Sequence, residues 1–126
     1  MDFSKELKNS KSSGHLTATL SDGQKFHSVL VDIIPTATGA ILIGVNATDN
    51  VRLDQPKLSA GTHTVKFGEN HNAWFSLQGE SFESVSGEMK VKVDGQLTAA
   101  EGIFNCVTNN GLEVSGEFNI QPVKKP

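Results

Sequence analysis

Gly102-Ile103-Phe104-Asn105-Cys106-Val107-Thr108-Asn109-Asn110-Gly111-Leu112-Glu113-Val114-Ser115-Gly116-Glu117-Phe118 sets two alternating runs around an Asn-Gly pair. Alternation with a period of two marks a strand that is half buried, and Asn-Gly tolerates the positive φ of a tight hairpin. A two-residue turn would align Val114 with Val107 and turn Phe104 out of the core. A three-residue loop, with Gly111 in the left-handed position, aligns Val114 with Cys106 instead. Each phenylalanine then lies opposite the other strand's glycine, Phe104 over Gly116 and Phe118 over Gly102. Glycine alone weakens a strand, and an aromatic cross-strand neighbour restores the lost contact. The three-residue loop is the predicted one.

The same period runs outward from this hairpin, in Leu16-Thr17-Ala18-Thr19-Leu20 and in Met89-Lys90-Val91-Lys92-Val93. About nine strands are predicted: 15–20, 25–34, 39–46, 50–54, 62–67, 72–78, 83–93, 97–107 and 112–120. Pro35 and Pro56 fall at strand ends, where a missing N–H does least harm. The fold class is all-β, an antiparallel β-sandwich or flattened barrel. A slip of one residue exchanges the two faces of a strand, so turn lengths can be argued from side-chain direction. A two-residue turn at Asp22-Gly23 sets Ala18 opposite His27 and Leu16 opposite Val29, with His27 toward the apolar side. The same turn at Asp94-Gly95 sets Val91 opposite Thr98 and Met89 opposite Ala100. Around Gly68 to His71 an odd-length loop puts Val65 and Phe67 on the side of Ala73, Phe75 and Leu77, which sends Trp74 outward. Val85-Ser86-Gly87-Glu88-Met89 echoes Val114-Ser115-Gly116-Glu117-Phe118. Two copies do not make a solenoid, and a bent strand that needs a glycine accounts for the echo.

The chain has 126 residues, enough for one core. The organisation read from it is a flexible N-terminal segment over 1–14, one β domain over 15–123 and a frayed tail over 124–126. Asp2 can cap a single helical turn ending near Leu7. No apolar run suits a leader or a membrane span, which predicts a cytoplasmic protein. Net charge is −3, the pI is near 5.7, and the basic residues are scattered. That excludes an electrostatic footprint for nucleic acid or anionic lipid.

Gly61-Thr62-His63-Thr64-Val65, Ser86-Gly87-Glu88-Met89, Glu101-Gly102-Ile103-Phe104-Asn105-Cys106 and Val114-Ser115-Gly116-Glu117-Phe118 together resemble small bacterial β-sandwich domains of unknown function, often found in surface lipoproteins. The resemblance spans about His15 to Ile120. Its motifs are strand and turn patterns, and it implies a fold without implying a catalytic residue. The chain departs from the lipoprotein pattern in having neither a leader nor an N-terminal lipidation cysteine.

Chemistry-bearing motifs are scarce. The nucleophile elbow, the His-Glu-x-x-His helix, the phosphate-binding glycine loop and paired Cys-x-x-Cys are all missing. His15, His27, His63 and His71 are not spaced as a zinc set. Cys106 is the one cysteine, predicted to point into the core beside Phe104 as a small hydrophobe. No cofactor is implied. Asn46-Ala47-Thr48 matches a glycosylation sequon and, without a secretion signal, reads as chance.

Two constellations carry functional readings. The predicted register sets Glu88 opposite Glu101, with Glu117 one diagonal step away, which reads as a calcium site or a carboxylate pair for hydrolysis. The bland reading is three solvated glutamates eased by Lys90 and by screening. The second is Trp74, the only tryptophan in a chain without tyrosine. It stands in a polar row with Asn72, Ser76 and Gln78, where an indole could stack a sugar or anchor a partner. The bland reading is cover from the N-terminal segment or a neighbouring loop. Ile103 and Val107 face outward in the same registers, which hints at self-association or a partner surface. Three function classes follow: a non-catalytic binding module around Trp74, with a protein or small molecule as partner; a carrier enclosing a small apolar ligand; and a carboxylate-based hydrolase.

Overall fold

One long strand organises the molecule, because its two halves serve different sheets. In the computed structural model, which describes residues 12–68, 70–96 and 98–122, ten antiparallel strands follow in chain order. They are β1 (Ser12–Leu20), β2 (Lys25–His27), β3 (Leu30–Pro35), β4 (Gly39–Asn46), β5 (Asp49–Pro56), β6 (Gly61–Phe67), β7 (Ala73–Leu77), β8 (Glu80–Val93), β9 (Ala100–Thr108) and β10 (Glu113–Pro122). The path through the sheet is β2-β1-β10-β9-β8-β7-β5-β4-β3, with β6 added on β8. The N-terminal half of β8 pairs with β7 and its C-terminal half with β6, while β9 follows the other edge. A register shift between Ser84 and Ser86 marks the bend where β8 leaves one sheet for the other. The result is a flattened all-β barrel.

The strand expected over 25–34 makes the second crossing and is therefore two strands, broken at Ser28 and Val29. Both crossings carry a buried serine whose hydroxyl replaces a lost ladder partner. Ser28 Oγ accepts from Leu16 N at 2.8 Å while Ser28 N donates to Leu16 O at 3.0 Å. Ser84 Oγ accepts from Ala73 N at 2.9 Å. Backbone groups at a sheet corner need such substitutes once they are shut off from water.

Inward residues of all the strands except the short connections form one core, including Leu16, Phe26, Leu42, Leu53, Phe75, Met89, Phe104 and Phe118. The rings of Phe75 and Phe82 stack with centroids 5.3 Å apart. Gly44 keeps the two sheets close: a Cβ there would lie 2.9 Å from Leu16 Cβ.

The hairpin of the opening stretch forms as expected. Val114 pairs with Cys106, Gly116 with Phe104 and Phe118 with Gly102, and Gly111 has φ +85°. Cys106 is buried. Pro35 and Pro56 end β3 and β5.

Two other turns differ. At Asp22-Gly23 the loop has three residues, closed by Leu20 N to Gln24 O at 2.9 Å and Gly23 N to Leu20 O at 3.0 Å. Ala18 therefore faces Phe26, not His27, and Leu16 is not opposite Val29. Phe26 takes the core place, His27 is exposed and Val29 is 69% exposed. A phenylalanine gains far more than a histidine from burial, which selects this register.

After β8 the loop spans 94–99, so Val91 pairs with Gly102 and Met89 with Phe104, in place of Thr98 and Ala100. Asp94 holds this longer loop by accepting from Gln96 N at 3.1 Å, Thr98 N at 3.3 Å and the Thr98 hydroxyl.

The odd loop at Gly68 gives the expected faces, with Val65, Phe67, Ala73, Phe75 and Leu77 all buried. It does not pair β6 with β7. The two run end to end along the same edge of β8, joined through the corner. The N-terminal segment expected over 1–14 is already strand from Ser12. The helical turn from Asp2 to Leu7 and the tail over 124–126 lie outside the described residues. No helix among the described residues is long and apolar enough to cross a membrane.

Candidate functional site

β7 alternates Ala73, Phe75 and Leu77 into the core, which leaves Trp74 and Ser76 on the outer face. β5 and β8 flank β7, and their registers set Arg52 on one side of Trp74 and Glu83 on the other. The Arg52 guanidinium carbon stands 5.5 Å from the Trp74 ring centroid, within cation–π range. Burial pulls the Arg52 pKa below its ordinary value. The loop after β9 holds Glu83 in place: Glu83 N donates to Asn109 Oδ1 at 3.2 Å, and Asn109 N donates to Glu83 O at 2.8 Å. The next row crosses Asn50, Ser76 and Ser81, whose two hydroxyls lie 3.2 Å apart. A groove of about 240 Å³ runs beside Trp74, lined by Arg52, Ser81, Glu83 and Asn109 among others.

Of the row expected from sequence, Trp74 and Ser76 share this face. Asn72 and Gln78 have other tasks. Asn72 Oδ1 accepts from Gly68 N at 3.2 Å and from Ser84 Oγ at 3.4 Å, so it belongs to the corner. Gln78 has φ +51° in the turn before Gly79 and donates its backbone N–H to Asp49 Oδ1 at 2.9 Å. Arg52 and Glu83, which complete the face, were not singled out. Their place beside Trp74 depends on pairing β5 with β7 across the intervening β6, and no local pattern carries that information.

The longer loop after β8 takes Glu88 away from Glu101, whereas Glu117 stays one diagonal step from Glu101, and these two line one groove with His15, Lys90 and Lys92. Glu101 faces Lys92 and Asn119, and Glu88 faces Asn105 and Lys66. Lys66 Nζ is 3.5 Å from Glu88 Oε2, and His15 Nε2 is 3.9 Å from Glu117 Oε1. The predicted Glu88–Glu101 juxtaposition is thus replaced by opposite-charge or amide neighbours. No group of three or more metal-binding side chains comes together among the described residues.

Ile103 is 54% exposed and Val107 also lies outward. Lys90 and Glu117 flank Ile103, whereas Ser86 and Glu113 flank Val107, so polar neighbours break up the apolar surface. Along the open side of β6, a groove of about 290 Å³ brings in two histidines. His71 Nδ1 lies 3.2 Å from Asp54 Oδ2, and His63 Nε2 lies 2.7 Å from Ser59 O. Asn46 of the sequon uses its amide to donate to His27 O at 3.0 Å.

Cys106 is unsuited to nucleophilic work, since burial pushes its thiol up to about 12. Compared with known proteins, the chain matches no family model, no curated protein and no solved structure.

Proposed function

We propose that this protein is a non-catalytic binding module whose contact surface is the outer sheet face around Trp74. The observation that carries the reading is the Arg52–Trp74–Glu83 row, where a partly exposed indole sits under a guanidinium and beside a carboxylate. Tryptophan and arginine are the residues that most often dominate protein–protein binding energies, because each offers a large contact area with directed polar groups. Arg52 already lies over the indole, which favours a protein partner over a stacked sugar. Glu83 adds a site for a cationic or amide group from that partner.

The alternatives fit the geometry less well. A hydrolase built on Glu88, Glu101 and Glu117 needs two carboxyls facing each other, whereas the ladder separates Glu88 from Glu101, and Glu117, diagonal to Glu101, has His15 3.9 Å from its carboxylate. A carrier needs internal space, whereas phenylalanines occupy the inner faces.

The test is affinity capture from host extract using wild type, Trp74→Ala and Ile103→Ala as baits. Partners retained by wild type and Ile103→Ala but lost from Trp74→Ala support the reading. Partners that survive Trp74→Ala and disappear with Ile103→Ala would move the contact surface to the opposite sheet.

A further inference from the structure

The sheet path ends in β2 and β3, and both are drawn into a closed corner, where Ser28 bonds Leu16 and Ser12 Oγ donates to Asp32 Oδ1 at 2.8 Å. β6 has no such closure. β8 pairs with one side of it, and among the described residues no strand pairs with the other. β5 runs on past its pairing with β7 toward that side but has no donor to offer at its end. Lys57 N donates to Thr38 O at 3.1 Å, toward the β4 side, so alternation turns the nitrogen of Pro56, which carries no hydrogen, to the gap.

Which groups of β6 are left open follows from the ladder. Lys90 O lies where a Cβ on Gly102 would fall, so Lys90 turns its peptide groups to β9. Successive residues of a strand alternate sides, and Met89, Val91 and Val93 therefore bond β6 through Val65, His63 and Gly61. Thr62, Thr64 and Lys66 keep N–H and C=O aimed at the open side, and all three are exposed. Such an edge is a template for another strand.

We infer that this edge pairs with the β6 edge of a second copy of the chain, antiparallel about a two-fold axis at Thr64. Self-complementarity carries the proposal. Thr64 meets Thr64 and Thr62 meets Lys66 on both sides of the axis, so every open residue finds an open partner and about six main-chain hydrogen bonds form. An axis at Thr62, His63 or Val65 matches fewer of them, and one at Lys66 sets two ammonium groups opposite each other. The side chains agree with the Thr64 axis. Phe67 of one copy faces Gly61 of the other, an aromatic–glycine pair like those of β9 and β10, and the space beside Gly61 is clear. The groove of about 290 Å³ along this side gives the incoming strand room. The proposal is independent of any partner at Trp74.

Crosslinking in the full-length chain tests it. Thr64→Cys puts one thiol on the axis, where paired Cα atoms stand about 5.5 Å apart, within disulfide reach. Ser115→Cys and Val107→Cys put exposed thiols on β10 and β9 of the same sheet, and the native Cys106 is buried. In a glutathione redox buffer, Thr64→Cys is expected to form the disulfide dimer about tenfold faster than either control or more, because thiols in a pre-formed pair react as if intramolecular. Thr64→Pro removes an open donor while leaving the bonds to β8 intact. In sedimentation velocity, wild type should move from monomer to dimer as concentration rises, and Thr64→Pro should stay monomeric. Equal crosslinking rates at the three thiols would overturn the proposal, as would a wild type that is monomeric at every concentration or a Thr64→Pro variant that still dimerises. Faster crosslinking at Val107→Cys would overturn it in favour of self-contact through the face of β9.

Discussion

Gly116 and Gly87 occupy the same place in two copies of one short motif, and neither has room for a side chain. At Gly87 a Cβ would run into Asn105 O and Cys106, and φ +132° next to the bend of β8 adds a backbone reason. At Gly116 space alone is the reason, since a Cβ would run into Phe104 Cε1 and Thr17 O. Gly116→Val is expected to destabilise by about 3 kcal/mol, the upper end of overpacking, because a backbone oxygen as well as a ring must move. Urea unfolding would show this as a lower midpoint with an unchanged slope. Asp94 offers a residue-scale test in pH. Burial acts to raise its pKa, but the Thr98 hydroxyl and the backbone of Gln96, Thr98 and Ala99 outweigh it and hold the carboxyl below its ordinary 3.8. A depressed folded pKa gives stability that is present above the unfolded value and lost as pH falls through the folded one. The stability gap between wild type and Asp94→Asn should therefore be full above about pH 5 and close progressively below it, as followed by thermal melts across that range.

At the scale of elements, the two crossing strands depend on Ser28 and Ser84. Ser84→Ala strips Ala73 N of its acceptor in a buried corner, and Ser28→Ala does the same to Leu16 N. Each should cost roughly 1–3 kcal/mol, the penalty for a buried donor left unmade. Serine-to-alanine changes at exposed Ser13 or Ser115 should stay within about 0.5 kcal/mol. Hydrogen exchange locates the effect: the Ala73 amide should lose protection in Ser84→Ala while the β9–β10 hairpin keeps its own. Equal loss in both regions would show that the corner serine is not a local tie.

For the molecule as a whole, the outer faces of the two sheets differ in kind. The sheet containing β8 to β10 presents charges with isolated Ile103 and Val107, whereas the face over β4, β5 and β7 joins the buried Ile43 and Val45 to the Arg52–Trp74–Glu83 row. Trp74→Ala removes an aromatic that is only partly covered, together with its cation–π contact. It should cost about 1–2 kcal/mol, less than the 3–5 kcal/mol typical of a core tryptophan, while abolishing partner capture. A loss of core size in denaturant unfolding would make Trp74 a packing residue and remove the basis of the proposed function.

The sequence by itself determined what repeats every two residues and what a single glycine demands. Alternation defined the all-β class and the inward faces of β1, β7, β9 and β10, and the reciprocal Phe104/Gly116 and Phe118/Gly102 pairs specified a hairpin register outright. The same reasoning placed Trp74 outward. It failed where alternation is silent. Pairing Met89 with Phe104 in place of Ala100 shifts the ladder by an even number of residues, which leaves every side chain on its face while carrying Glu101 from Glu88 to Lys92. Only the tertiary structure decided that, through the loop held by Asp94. It likewise decided that β6 and β7 lie end to end on β8 and that β5 brings Arg52 to Trp74, since both depend on contacts between strands that are not neighbours in the chain. The candidate site was half legible for that reason: a side chain's direction is a local property, and the identity of its neighbour across a sheet is not.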